Sequence, residues 1–333
     1  PFAQVLFGES GNHVLTERGS TVNTLKSESS YSAKDEIEKP NAFLMPEKQN
    51  AGKPWWFWPM LLFVVSFLLG IVAVLGGVGG GVLFVPIVGS FFPFNMDFVR
   101  GAGLFVAMAG SLAASPTLLR SGMVNLRLAM PFGLIASSSA ILGAMIGLAL
   151  PANVIQIALG ITILLIVILM FFAKKSEYPE VAKQDFLSTI LKINGIYVEE
   201  STGKEIEWKT HRTPLSMFLF LLIGVMAGMF GLGAGWANVP VLNQVMGAPL
   251  KVSVASSKFI LSIVDTSAAW VYLNSGAVMA IIAVPSIIGI MLGSFIGVRL
   301  LKKIKAETVR KIVIILLLAS GGRALLKGLG IWN

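Results

Sequence analysis

The chain has 333 residues, a mean hydropathy of +0.80 and only 13% charged residues, about half the charged share of a soluble domain, so water is not its main solvent. Cysteine is absent and the two histidines, His13 and His211, lie in polar segments; the apolar part holds no thiolate, no imidazole for haem or zinc and no Ser-His pair, which argues against an enzyme. The net charge of +9 arises outside two balanced polar segments: residues 1–53 carry six Lys/Arg and seven Asp/Glu, residues 174–213 carry seven of each, and the remainder holds thirteen cations but only Asp97, Asp265 and Glu307 as acids.

Residues 1–53 are rich in Ser, Asn, Glu and Lys without a hydrophobic period and read as a polar extramembrane tail. They lack the apolar stretch and cleavage site of a signal peptide, and because the sequence opens on Pro1 a longer or processed N-terminus is expected. Trp55, Trp56 and Trp58 mark an aromatic belt at a membrane surface. Apolar runs follow at 56–75, 101–119, 128–150 and 153–173, and again at 215–230, 277–298 and 312–319. Several reach the roughly 20 residues that a helix needs to cross about 30 Å of hydrocarbon. They are continuous rather than alternating, which disfavours a barrel. The expected fold is all-α: a polytopic transmembrane helical bundle with a first repeat at 54–173 and a second at 214–333. The intervening 174–213 reads as an extramembrane linker, with Ile196–Glu200 and Glu205–Lys209 as candidate arms of a β-hairpin.

The halves match at a shift of 154 positions. Gly70, Gly77, Gly79, Gly81, Val85 and Pro86 align with Gly224, Gly231, Gly233, Gly235, Val239 and Pro240, and Phe105, Ser121, Gly122 and Pro131 with Phe259, Ser275, Gly276 and Pro285. Charge bears on their orientation. The loop near Arg120 and Arg127 is basic and the next, Leu148–Asn153, is uncharged; in the second half Asn274–Gly276 is uncharged and Arg299, Lys302, Lys303 and Lys305 follow. Equivalent loops thus fall on opposite sides by the positive-inside rule, so two inverted repeats are expected, each of four or five helical segments broken at glycines.

The glycine clusters 76–81 and 231–235 lie inside long apolar stretches, where each glycine costs about 1 kcal/mol of helix propensity. Broken backbone at membrane depth survives only against protein or a water-filled cavity, so each break should line a buried site whose free N–H groups suit an anion. Gly79, Gly80, Gly81, Gly233, Ala234 and Gly235 are therefore candidate substrate-binding residues, with Asn238, Ser256 and Ser257 as neutral donors. Lys258 would pair with an anionic substrate, and Asp265, seven residues on and on nearly the same helical face, would take up a coupling proton; a Lys258–Asp265 salt bridge is the structural alternative. Gly143, Gly147, Gly293 and Gly297 read as close-packing positions. Arg100 reads as an interfacial anchor, with a vestibule charge as the alternative. Neither cluster is a nucleotide loop, and no cofactor, metal or nucleic acid is expected.

Gly77-Val-Gly-Gly-Gly-Val-Leu-Phe-Val-Pro86, Ser121-Gly-Met-Val-Asn-Leu-Arg127 and Gly143-Ala-Met-Ile-Gly147, with weaker second-half counterparts, resemble the sulfite exporter TauE/SafE family over roughly residues 60–328. That resemblance implies transport of small sulfur-containing anions such as sulfite, sulfonates or thiosulfate, without ATP hydrolysis by the chain itself, and glycine hinges that shape the substrate site. The resulting expectation is a proton-coupled secondary anion transporter in a bacterial or archaeal cytoplasmic (inner) membrane, its partners being the anion, the proton and the lipid bilayer. An anion channel and a non-transporting membrane scaffold or sensor are the alternatives. Oligomeric state is left open.

Overall fold

The structure, a computed structural model, describes residues 54, 56–76, 79–120, 122–172, 179, 181, 183–198, 205–301 and 306–331. The tail 1–53, Trp55, Gly77, Ser121, the hairpin turn 199–204, and Lys302, Lys303 and Lys305 lie outside the described residues. The described chain is an all-α bundle. Before the linker come α1 (Phe57–Gly76), α2 (Gly80–Phe91), α3 (Met96–Arg120), α4 (Leu126–Ala149) and α5 (Ala152–Phe172). The linker carries the short α6 (Phe186–Ile190) and a two-stranded antiparallel hairpin of β1 (Asn194–Val198) and β2 (Glu205–Lys209). After it come α7 (Thr213–Phe230), α8 (Gly235–Pro240) running into a π-helical turn at Val241–Val245, α9 (Leu250–Asn274), α10 (Ala280–Leu301) and α11 (Ala306–Gly328).

Local chemistry sets the boundaries. Asn125 caps α4, its side chain accepting the Leu128 N–H at 2.9 Å. Asp185 holds the start of α7 by accepting from the Thr213 hydroxyl at 2.9 Å. The left-handed glycines Gly122 (φ +70°), Gly231 (φ +68°) and Gly276 (φ +67°) follow the ends of α3, α7 and α9. Pro240 lacks an N–H, and the hydrogen-bond ladder widens to the π spacing directly after it.

Among the described residues five helices, α3, α4, α5, α7 and α10, are long and apolar enough to cross a membrane. Their outward faces are apolar: Leu134, Met145 and Phe295 are 57%, 57% and 67% exposed. Such a surface suits lipid as solvent rather than water.

Contacts fix the direction of each helix. The Trp58 ring at the start of α1 meets Phe92 and Phe94 beyond the end of α2, with centroids 6.1 and 5.5 Å apart. Thus α1 and α2 form a hairpin whose base lies at the Trp58 end. In the second half the His211 N–H, before α7, bonds to Met246 O after the π turn at 3.0 Å, so α7 and α8 form a hairpin based at the linker end. Those ends are opposite: α4 starts at Asn125, whose amide donates to Asn194 O of the linker at 3.3 Å, and finishes with Gly147 against Arg100, in the second turn of α3.

The packing is reciprocal. Helix α1 runs beside α10 and α7 beside α4, and both contacts are made through glycine. A Cβ on Gly293 would lie 2.0 Å from Phe67 O, and one on Gly143 would lie 2.1 Å from Val225 O. No side chain fits at either position, and the helix backbones touch, as small residues permit in bundles within lipid.

Candidate functional site

The two helix breaks meet in the interior. A Cβ on Gly235 would lie 3.5 Å from Gly79 N and 3.5 Å from a methyl of Leu261, and one on Gly79 would lie 3.7 Å from the same methyl. Leu261 sits halfway along α9, so the tips of the two hairpins lie side by side at the middle of the bundle. Behind them runs α3: a Cβ on Gly81 would lie 2.6 Å from Leu232 O and 3.1 Å from Ala107, and one on Gly103 would lie 2.7 Å from Gly231 O.

Helix α2 starts at this junction. Gly79 is its extended N-cap and offers no side-chain cap, so the first N–H groups and the positive end of the helix dipole point into the interior. The residue that faces the second break is Asp265. Both of its oxygens would lie 3.2 Å from a Cβ on Gly233, whose φ is +72°. Its side chain is fully buried, and neither oxygen has a hydrogen-bond partner in the protein. Asn238 on α8 is also fully buried, with its amide oxygen and nitrogen both unpartnered. The indole N–H of Trp236 is a third buried polar group without a partner. Native proteins leave few such groups, and their concentration beside two broken helices makes this the candidate site.

The nominated residues separate by helix face. Lys258, Leu261 and Asp265 lie within 60° of one another at 100° per residue, on the side of α9 that meets the hinges. Lys258 and Asp265 make no ion pair; those among the described residues are Arg100–Asp97 and Lys209–Glu207. Ser256 lies on the opposite face from Asp265 and accepts the Asn125 N–H at 3.2 Å, joining α9 to the cap of α4. Ser257 is buried. Gly80 packs on Ile290 and Ala234 is fully buried. Other hydroxyls of α9 bind backbone: Ser253 donates to Ala248 O, Thr266 to Ser262 O and Ser267 to Ile263 O.

Arg100 is not the interfacial anchor that its sequence neighbourhood suggests. It is 1% exposed, pairs with Asp97, donates to Met229 O at 2.8 Å and lies over the Tyr272 ring at 5.7 Å. The Tyr272 hydroxyl donates to Gly228 O at 3.1 Å and to Met229 O at 3.3 Å. Together they cap the carbonyl end of α7, where a cation is favoured by the dipole, one residue before the second hinge begins. The alignment places Val254 and Leu118 at the equivalent positions, so the two hinges are not secured alike.

Comparison with known proteins gives a consistent picture. The model of the family described as sulfite exporter TauE/SafE matches residues 62–324. A probable membrane transporter protein of Bacillus subtilis, YunE, is 21% identical over 277 residues, covering 81% of this chain and 98% of its own. The probable membrane transporter protein ORF9 of a Sinorhizobium species is 24% identical, covering 79% and 91%. The probable membrane transporter protein MJ0441 of Methanocaldococcus jannaschii is 24% identical, covering 75% and 89%. No solved structure matches.

Proposed function

Because this chain belongs to the sulfite exporter TauE/SafE family of membrane proteins, we propose that it is a secondary transporter of small sulfur-containing anions, such as sulfite, a sulfonate or thiosulfate, driven by a proton gradient. A membrane transporter is the coarser statement that the family and its relatives carry directly. The finer reading rests on one observation: two helix breaks lie side by side at Gly79 and Gly235, next to a buried Asp265 and a buried Asn238 that have no partners within the protein.

The chemistry follows from those groups. The open N-terminal turn of α2 offers backbone N–H groups and a positive dipole end to an anion, and the Asn238 amide adds a donor. Lys258, on the face of α9 that meets the hinges, supplies positive charge toward the same region. An ionised Asp265 and a bound anion would repel each other where little water screens them. In this mechanism the anion therefore enters with a proton on Asp265, and the two travel together. Alternation follows if the hairpins open in turn. We read the halves as inverted repeats, a reading supported by hairpins based at opposite ends and by the reciprocal packing of α1 on α10 and α7 on α4.

The test is flux in proteoliposomes. Saturable sulfite or sulfonate uptake that responds to an imposed pH gradient is expected. The chain has no cysteine, so a single Ala234→Cys variant can be labelled directly, and its modification from either side should change with substrate. Non-saturating flux would reassign the chain to a channel, and absence of flux for every small oxyanion tried would remove the anion from the reading.

A further inference from the structure

Where α2 ends it packs on α11. Ser90 donates to Ser320 O at 3.2 Å, and Lys327 reaches Gly89 O at 3.4 Å. The Arg323 guanidinium lies over the Phe91 ring at 4.5 Å. Beside these contacts is an open groove of about 290 Å³ lined by Phe91, Ala319, Gly322, Arg323 and Leu326. Its floor is apolar, and Lys327 lies one helical turn beyond Arg323 on α11. Phe91 is 49% exposed and Leu326 is 37% exposed, so the apolar part is open to the surroundings.

The groove lies at the Trp58 end. The aromatic cluster of Trp58, Phe92 and Phe94 begins one residue beyond Phe91 and has the character of a membrane interface. Charge at this end is sparse. The loops 92–95, 150–151 and 275–279 carry none, and Arg100 is buried against Asp97. Among the described residues the other cations at this end are Arg323, which lines the groove, and Lys327, one helical turn further along α11. Most of the other described cations, such as Arg120, Arg127, Lys192 and Arg212, lie at the linker end, where the positive-inside rule accounts for them; it does not account for this pair.

We propose that the groove binds an anionic phospholipid, with the phosphate between Arg323 and Lys327 and the first part of the acyl chains over Phe91 and Leu326. A guanidinium held over a ring is oriented for forked contact with phosphate. A free phosphate would leave the exposed apolar floor uncovered. Both cations also touch the last turn of α2, so a bound lipid braces the base of the first hairpin.

The experiment is native mass spectrometry of the purified full chain mixed with phosphatidylglycerol or with phosphatidylcholine of the same chain length, alongside thermal unfolding with each lipid and with inorganic phosphate. Phosphatidylglycerol should be retained preferentially. Arg323→Gln and Lys327→Gln should each lower its retention about fivefold, while Arg127→Gln, at the opposite end, leaves it unchanged. Gly322→Leu places a side chain where an added Cβ meets nothing within 4 Å; it should lower retention by filling the groove with both charges in place. Equal retention of the two lipids, an equal loss with Arg127→Gln, or retention untouched by Gly322→Leu would overturn the proposal. Thermal protection by inorganic phosphate as large as that by phosphatidylglycerol would also overturn it, in favour of a free-anion site.

Discussion

Gly79 and Gly235, on different hairpins and in different halves of the chain, face each other across the width of one methyl group: a Cβ on Gly235 would lie 3.6 Å from Gly79 Cα. Two interrupted helices entering from opposite ends thus have their tips side by side.

The second hinge should resist substitution in a way that an ordinary helical glycine does not. Gly233 has φ +72° and would place a Cβ 3.1 Å from Ala107 and 3.2 Å from Asp265. Gly233→Ala should therefore cost about 1–2 kcal/mol in backbone strain alone and lower flux sharply. Gly110→Ala in α3 meets nothing within 4 Å and should stabilise by about 0.5–1 kcal/mol. Unfolding in detergent and proteoliposome flux on both variants check this; equal behaviour would remove the hinge from the mechanism.

Asp265→Asn replaces a buried, unpartnered carboxylate with a neutral group of the same shape. Stability should hold or rise, because no ion pair is lost and a charge leaves the interior. Saturable exchange of anion should persist while its response to a pH gradient disappears. A variant whose flux still follows the gradient would show that the proton rides elsewhere.

Asn238→Leu removes an amide that has no partner within the protein, so the folded chain loses little. If the amide bonds the anion, the half-saturation concentration should rise about tenfold or more, the usual scale for a hydrogen bond to a charged group. Concentration dependence of flux decides the matter; an unchanged value would place Asn238 outside the substrate site.

Arg100 and Tyr272 share the Met229 carbonyl. Arg100→Gln should destabilise by about 1–3 kcal/mol, because Met229 O loses its charged donor and Asp97 its charged partner. Tyr272→Phe should cost about 1 kcal/mol, and the double variant more than the sum, because either donor alone still meets the shared carbonyl and only the double variant leaves it bare. Additive losses in denaturant unfolding would mean that the two residues do not act on a common cap.

Much of the fold was legible because lipid permits few solutions. Apolar runs of helical length had to be helices, and glycine clusters within them had to be breaks. The 154-residue shift paired the breaks, and the rarity of intramembrane charge singled out Asp265. Arg100 was misread, since its flanking Gly-Ala-Gly gives no sign that the end of α7 arrives opposite it. Tyr272 carried no signal within an apolar run. Trp236 was legible only as a neighbour of the hinge. Ser256 looked like a ligand beside Ser257 and Lys258, but a serine's use depends on which helix packs on its face, and here that is the start of α4. The π turn after Pro240 depends on how the freed backbone groups are satisfied, and sequence spacing does not encode that choice.

The reciprocal packing bears on biosynthesis. The glycine face of α1 waits for α10, which leaves the ribosome long after it, and α4 likewise finds α7 only after the linker has been made. The first half thus enters the bilayer with raw, sticky flanks and must be shepherded until its counterpart arrives. It also follows that the two halves, expressed as separate polypeptides in one cell, should find each other and reassemble, each supplying the surface on which the other completes its insertion.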